Sequence, residues 1–204
     1  PCLLTSPAEP NLASTTSIID DIRLAARGVA GLIVGDRKAA GYFDFSDRGL
    51  VTSFIAFLVV TAANAALPKL LGMESGPIFR SIAMVAILFV FQIGFTVIVL
   101  RQLKRLDGLV PYLVADNWAT FFITIGSTLL ALAGLTGDVA IIAIGLAVII
   151  VEINIARLIV TLSPLQIAML LIAQLVGVSI GLLVVGMVLP LSPAEQAALQ
   201  SLAG

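Results

Sequence analysis

The sequence predicts an all-α membrane protein: a polytopic transmembrane helical bundle of about five spans, with an N-terminal amphipathic, interfacial helix. Hydrophobic residues make up 60% of the 204 residues, charged residues only 11%, and the mean hydropathy is +1.15. Soluble domains carry about 25% charged residues, so this chain is built for an apolar solvent. Five segments approach or exceed the length of about 20 apolar residues that a helix needs to cross the hydrocarbon core.

The N-terminal part of the chain precedes the first span. Residues 1–15 are rich in Pro, Ser, Thr and Asn without apolar periodicity, which predicts a flexible tail. In the segment 16–49, Ser17 and Asp20 suit a helix N-terminus, and apolar residues then recur at helical spacing. We expect this amphipathic segment to lie on the cytoplasmic membrane surface or to pack beneath the bundle.

The membrane domain is predicted to cover residues 50–189, followed by a short C-terminal tail at 190–204. The stretch 109–115 is too short to span and is predicted to be interfacial. The turns at 136–138 and 161–164 are so short that the third, fourth and fifth spans are expected to be antiparallel neighbours. The predicted spans are 50–67, 79–100, 118–135, 139–160 and 165–189.

The distribution of Lys and Arg predicts how the bundle is oriented. Grouping the loops by side puts nine of the 11 basic residues on one side, including the loop 101–105, and leaves only Lys69 and Arg80 on the other. Basic loops are retained in the cytoplasm. We therefore expect a multi-pass protein of the inner (cytoplasmic) membrane, with the N-terminus in the cytoplasm and the C-terminus in the periplasm.

A few polar residues within the spans define a candidate site. Counted at about 1.5 Å per residue from the span midpoint, Glu152 lies about 4 Å to the cytoplasmic side of the centre. Gln92 and Gln174 fall at the same depth, Thr124 lies close to it, and Thr120 lies nearer the cytoplasm. This predicts one intramembrane polar layer, since a carboxylate at this depth must face protein, water or a partner. A hydrogen-bond network that fixes helix register is favoured over a proton or solute path, because only one acid is placed in the layer.

A second candidate pair lies near the cytoplasmic ends of the third and fourth spans. Arg157 falls level with Asp116, which stands at the predicted start of the third span. Negative charge is also favoured at a helix N-terminus. The sequence therefore predicts an interfacial ion pair between Asp116 and Arg157.

The last span carries small residues on one helix face. Ala173, Gly177 and Gly181 are spaced four residues apart, which lets another helix backbone approach closely. We expect packing within the chain in preference to a homodimer interface.

Composition also excludes several classes of function. The chain has no His, and its single Cys is Cys2, so intrachain disulfides, His-based triads and Cys or His metal sites are excluded. The net charge of -1 provides no concentrated basic face for nucleic acid. No catalytic residue, metal or cofactor is predicted, and we expect a protein that is not an enzyme.

Two motifs resemble a known family. The run from Tyr112 to Trp118, Tyr-Leu-Val-Ala-Asp-Asn-Trp, is followed by Glu152-x-x-x-Ala-Arg157 and a last apolar helix. Over residues 40–190 the chain resembles short alphaproteobacterial membrane proteins related to the Yip1 family. The resemblance implies a cytoplasmic N-terminal region and five membrane helices. Eukaryotic relatives are linked to membrane trafficking and shaping, while bacterial ones are sometimes labelled transporters.

Two functions fit these features. The first is a non-enzymatic membrane scaffold or accessory subunit of a membrane assembly, with lipid and other membrane proteins or further copies of the chain as its partners. The alternative is a small oligomeric transporter or channel that uses the polar layer around Glu152. A cavity beside Glu152 favours the alternative, whereas a dry, fully hydrogen-bonded carboxylate favours the scaffold.

Overall fold

A computed structural model describes residues 17–72 and 77–189; the predicted tails at 1–15 and 190–204 lie outside these ranges. Within them the chain folds into six α-helices and no strand. The helices are α1 (Ile18–Val34), α2 (Asp47–Leu70), α3 (Ile78–Gln102), α4 (Leu109–Leu132), α5 (Asp138–Asn154) and α6 (Pro164–Val188). A π-helical segment, Ile155–Ile159, continues α5.

Helices α2 to α6 form the membrane domain. Each of the five, counted with its short flanking turns, is long and apolar enough to cross a membrane. Many of their large apolar side chains are exposed on the outside of the bundle, where lipid would cover them. The predicted all-α bundle of five spans is therefore confirmed, and the chain is a multi-pass membrane protein.

The third membrane helix begins earlier than predicted. Helix α4 starts at Leu109, so the segment that was expected to be interfacial forms its first two turns. Pro111 is tolerated there because the first turn of a helix has no partner for a backbone N–H. Asp116 is 8% exposed and Asn117 is fully buried. These two polar residues, taken as a sign of the membrane surface, are instead part of the bundle interior.

The most extensive helix pairings are α3 with α6 and α2 with α4. A Cβ atom at Gly177 would lie 3.0 Å from the carbonyl oxygen of Phe91, and one at Gly181 would lie 3.0 Å from Leu88 Cδ2. The small face of α6 thus packs on α3 within the chain, with Ala173 partly buried nearby. Helix α5 packs on α4 but makes few contacts with α6, because the small face of α6 is turned towards α3.

Helix α1 packs against the bundle through one face. It is capped at its start by the Ser17 hydroxyl and at its end by Gly35 in the left-handed conformation. It packs on α4, on α5 and on the turn that follows it, where Gly28 faces Phe43 and Gly31 faces Ala39. The side chain of Asn154 donates a 2.7 Å hydrogen bond to the Leu32 carbonyl. In the first turn of the same face, Asp21 forms a 2.8 Å ion pair with Arg48.

The connection before α2 is a tight turn. The Asp44 carboxylate accepts a 3.0 Å hydrogen bond from the Ser46 backbone N–H, and Ser46 caps α2. These hydrogen bonds from the backbone and hydroxyl of Ser46 lower the pKa of Asp44. Gly49 packs so closely on this turn that an added Cβ would collide with the Asp44 carbonyl oxygen. Glycine is therefore required at this position.

Candidate functional site

Two acidic side chains meet inside the bundle. Asp116 of α4 and Glu152 of α5 lie within hydrogen-bonding reach of each other. Asp116 is buried and Glu152 is half-buried. Ionised carboxylates only accept hydrogen bonds, so a bond between two carboxyl groups requires that they hold a proton. We refer to Asp116 and Glu152 as the carboxyl pair.

A hydrogen-bonded chain connects the carboxyl pair to α3 and α6. The Tyr112 hydroxyl donates to Glu152 Oε2 at 3.0 Å and accepts from Gln174 Nε2 at 2.6 Å. The same Gln174 nitrogen lies 3.3 Å from Thr96 Oγ1. Tyr112 and Thr96 are fully buried, and Gln174 is nearly so. Four of the five membrane helices therefore contribute to one polar network.

A cavity of about 230 Å³ adjoins the carboxyl pair. This is far more than the 10–15 Å³ or so that one water requires. Its lining combines both acids and three uncharged polar side chains with four aliphatic side chains. The full lining is Gln92, Asp116, Ala119, Thr120, Ile123, Thr124, Val148, Val151 and Glu152.

The residues of the predicted polar layer come together around Glu152. Gln92, Thr120 and Thr124 line the same cavity as Glu152, and Gln92 also lies within hydrogen-bonding reach of the Tyr112 hydroxyl. Gln174 is outside the cavity lining and approaches Glu152 from α6, directly and through Tyr112. Depth counting thus selected residues that are neighbours in the fold.

The predicted ion pair between Asp116 and Arg157 is wrong. Asp116 faces Glu152 and is buried, whereas Arg157 lies on the π-helical segment and is exposed. No ion pair joins them among the described residues. The error follows from the start of α4: Asp116 is seven residues, or about 10 Å, inside the helix rather than at its N-terminus.

Neither Tyr112 nor Asp116 was predicted to belong to the polar layer, so the second acid was not expected there. The signal was present, because Tyr112, Asp116, Thr120 and Thr124 recur every four residues. Such spacing places side chains on one face of a helix. It becomes visible only when the helix is taken to start before Tyr112.

Comparisons with protein-family models, with curated proteins and with solved structures find no match. What the site can do is therefore argued from its own chemistry. Among the described residues, no three His, Cys, Asp or Glu side chains form a group that could hold a metal ion. The carboxyl pair and its cavity offer proton exchange, hydrogen bonding and the binding of a positive charge.

Proposed function

We propose that the protein is a small membrane transporter that moves protons through its helical bundle, with the carboxyl pair Asp116 and Glu152 as the proton-holding group. The observation that carries this proposal is the meeting of two acids beside a polar cavity of about 230 Å³ within the spans. Ionisable residues within membrane spans are expensive and mark ion or proton pathways.

The sequence favours a structural role for the polar layer, and with it the scaffold function, because it places a single acid there. A network that only fixes helix register needs hydrogen bonds between neighbours, each worth about 0.6 kcal/mol. It needs neither a second acid nor room for water beside it. Here Asp116 is a second acid and the cavity provides room for water, and these two features support transport over a structural role.

The hydrogen-bonded chain orients the proton-holding group. The Gln174 amide donates to the Tyr112 hydroxyl, which turns the hydroxyl proton towards Glu152 and stabilises the carboxylate that remains after a proton leaves. Water in the cavity would connect the opposite side of the pair to the membrane surface. The proposed activity is non-enzymatic.

The orientation and family of the protein belong to the same proposal. The nine basic residues on one side support a cytoplasmic N-terminus and a periplasmic C-terminus in an inner membrane. Kinship with Yip1-like proteins, some of which are labelled transporters, is compatible with this function. We further propose that copies of the chain associate, since five helices by themselves enclose little water.

The test is proton flux into liposomes that contain the purified full chain. A potassium diffusion potential drives proton entry, and a trapped pH-sensitive dye reports the internal pH. We expect entry several-fold faster than in protein-free vesicles, and Glu152→Gln or Asp116→Asn to return it to the protein-free rate. Asp138→Asn is the matched control, because Asp138 is exposed at the opposite end of α5.

Two outcomes would contradict the proposal. Wild-type flux equal to that of protein-free vesicles would refute proton transport and favour the scaffold. Flux that persists unchanged in both acid variants would show that protons do not pass through the carboxyl pair. Each variant is compared only after gel filtration and circular dichroism show the wild-type size and helix content.

A further inference from the structure

We infer that the cavity beside the carboxyl pair binds a small primary alkylammonium cation, which replaces one proton at Asp116 and Glu152. As a transport substrate this cation rests on the proposed function, but its binding is tested independently of flux.

The lining of the cavity is acidic. Its lining contains two acids and no Lys or Arg. An ionised carboxylate away from bulk water is costly unless a positive charge or hydrogen bonds compensate it. Arg157, the basic residue nearest to Glu152 in the sequence, is exposed and makes no ion pair with either acid. The pair must therefore hold a proton or a cation that comes from outside the chain.

The cavity lining contains both polar and apolar groups. Gln92, Thr120 and Thr124 add hydrogen-bond acceptors around the two acids, and a primary ammonium group has three N–H donors to offer them. The remaining lining is aliphatic, contributed by Ala119, Ile123, Val148 and Val151. A short alkyl chain fits such a wall, whereas a hard metal cation prefers oxygen ligands on all sides.

The cavity is small. Pockets for drug-sized ligands enclose about 300–1,000 Å³, and this cavity of about 230 Å³ lies below that range. It has room for an ammonium group with a chain of a few carbons. The cavity thus limits both the charge and the length of the ligand.

Binding exchanges one proton of the carboxyl pair for the cation. The cation enters, one proton leaves the carboxyl pair for water, and the net charge of the site is unchanged. On α4, Tyr112 is the other titratable group that faces the pair, while α3 and α6 present the uncharged amides of Gln92 and Gln174. The Asp21 carboxylate of α1 is paired with Arg48 and lines a different cavity. The cation therefore competes with a proton, and its apparent affinity must rise with pH.

The experiment is calorimetric titration of the full chain in detergent with n-butylammonium chloride. Controls are n-butanol, which has the same chain without the charge, and sodium chloride. We expect binding of n-butylammonium alone, with at least a tenfold loss of affinity in Glu152→Gln and Asp116→Asn and no change in Asp138→Asn. Proton release will make the measured heat depend on the ionisation enthalpy of the buffer.

A second variant protects the test against misfolding of the acid variants. Val148 lines the cavity and is 40% exposed, so Val148→Phe fills the space without burying a large side chain in the core. We expect it to abolish n-butylammonium binding while both acids remain. Unchanged binding in this variant would overturn the assignment of the cavity.

Other outcomes separate this inference from the proposed function. Absence of n-butylammonium binding, equal binding of n-butanol or sodium, or binding without proton release would overturn the inference. Proton flux in liposomes would still support transport in each of these cases. Binding with proton release but without any flux would support the inference and refute the proposed function.

Discussion

Replacement of Tyr112 by phenylalanine tests the hydrogen-bonded chain at its centre. Tyr112 is fully buried, donates to Glu152 at 3.0 Å and accepts from Gln174 at 2.6 Å. Tyr112→Phe removes both bonds and keeps the ring, so the change creates almost no cavity. Intramembrane hydrogen bonds average about 0.6 kcal/mol, but a buried polar group left without a partner costs about 1–3 kcal/mol.

We expect Tyr112→Phe to lower the free energy of unfolding by about 1–2 kcal/mol. For a chain of 150–250 residues this corresponds to a fall in the melting temperature of about 2–8 °C. The measurement is thermal unfolding in detergent at constant pH. The matched control is Tyr42→Phe, at the other tyrosine of the chain, whose hydroxyl makes no hydrogen bond among the described residues. Equal melting temperatures for the two variants would refute the network.

Three further predictions concern the turns between helices and helix packing. Gly49→Ala forces a Cβ against the Asp44 carbonyl and should lower the free energy of unfolding by about 1–3 kcal/mol. The control is Gly126→Ala, whose added Cβ meets nothing within 4 Å, so it should be neutral or stabilising by up to about 1 kcal/mol. Similar losses of unfolding free energy in both variants would contradict this. Arg105→Ala removes hydrogen bonds to the backbone and hydroxyl of Thr161, so amide hydrogen exchange in the α5–α6 turn should accelerate, and unchanged exchange would contradict the contact. Because the pKa of Asp44 is lowered in the folded protein, its carboxylate stabilises the fold above its ordinary pKa, and this contribution disappears as pH falls through the lowered value. The difference in melting temperature between wild type and Asp44→Asn should therefore narrow as pH falls from 5 towards 2. A constant difference would exclude this effect of Asp44 on stability.

The helical class and the five spans were predictable because a membrane span has a strict length requirement. Hydropathy located all five membrane helices, yet it placed the start of the third at residue 118 instead of Leu109. That error of nine residues is about 13 Å along a helix. Hydropathy misjudged this end because Asp116 and Asn117 are buried within the bundle, where Asp116 meets Glu152 and the Asn117 amide nitrogen donates to Ser53, so a polar pair did not mark the membrane surface.

The candidate site was predictable in part. Depth counting from span midpoints grouped Glu152 with Gln92 and Gln174, since helix rise alone sets relative depth. It did not reveal which helices are neighbours or how each is rotated about its axis. The contact of Asp116 with Glu152 depends on both, and on packing such as that of Gly177 against α3. Those relations arise from interactions between helices that a single hydropathy profile does not contain.

The most direct test of the transport function is the proton flux of wild type against Glu152→Gln, measured in the same liposome preparation under the same membrane potential. The account predicts that wild-type vesicles acidify several-fold faster than protein-free vesicles and that Glu152→Gln vesicles, with folding intact, do not. Equal acidification by wild type and Glu152→Gln, or no acidification by wild type, would contradict it.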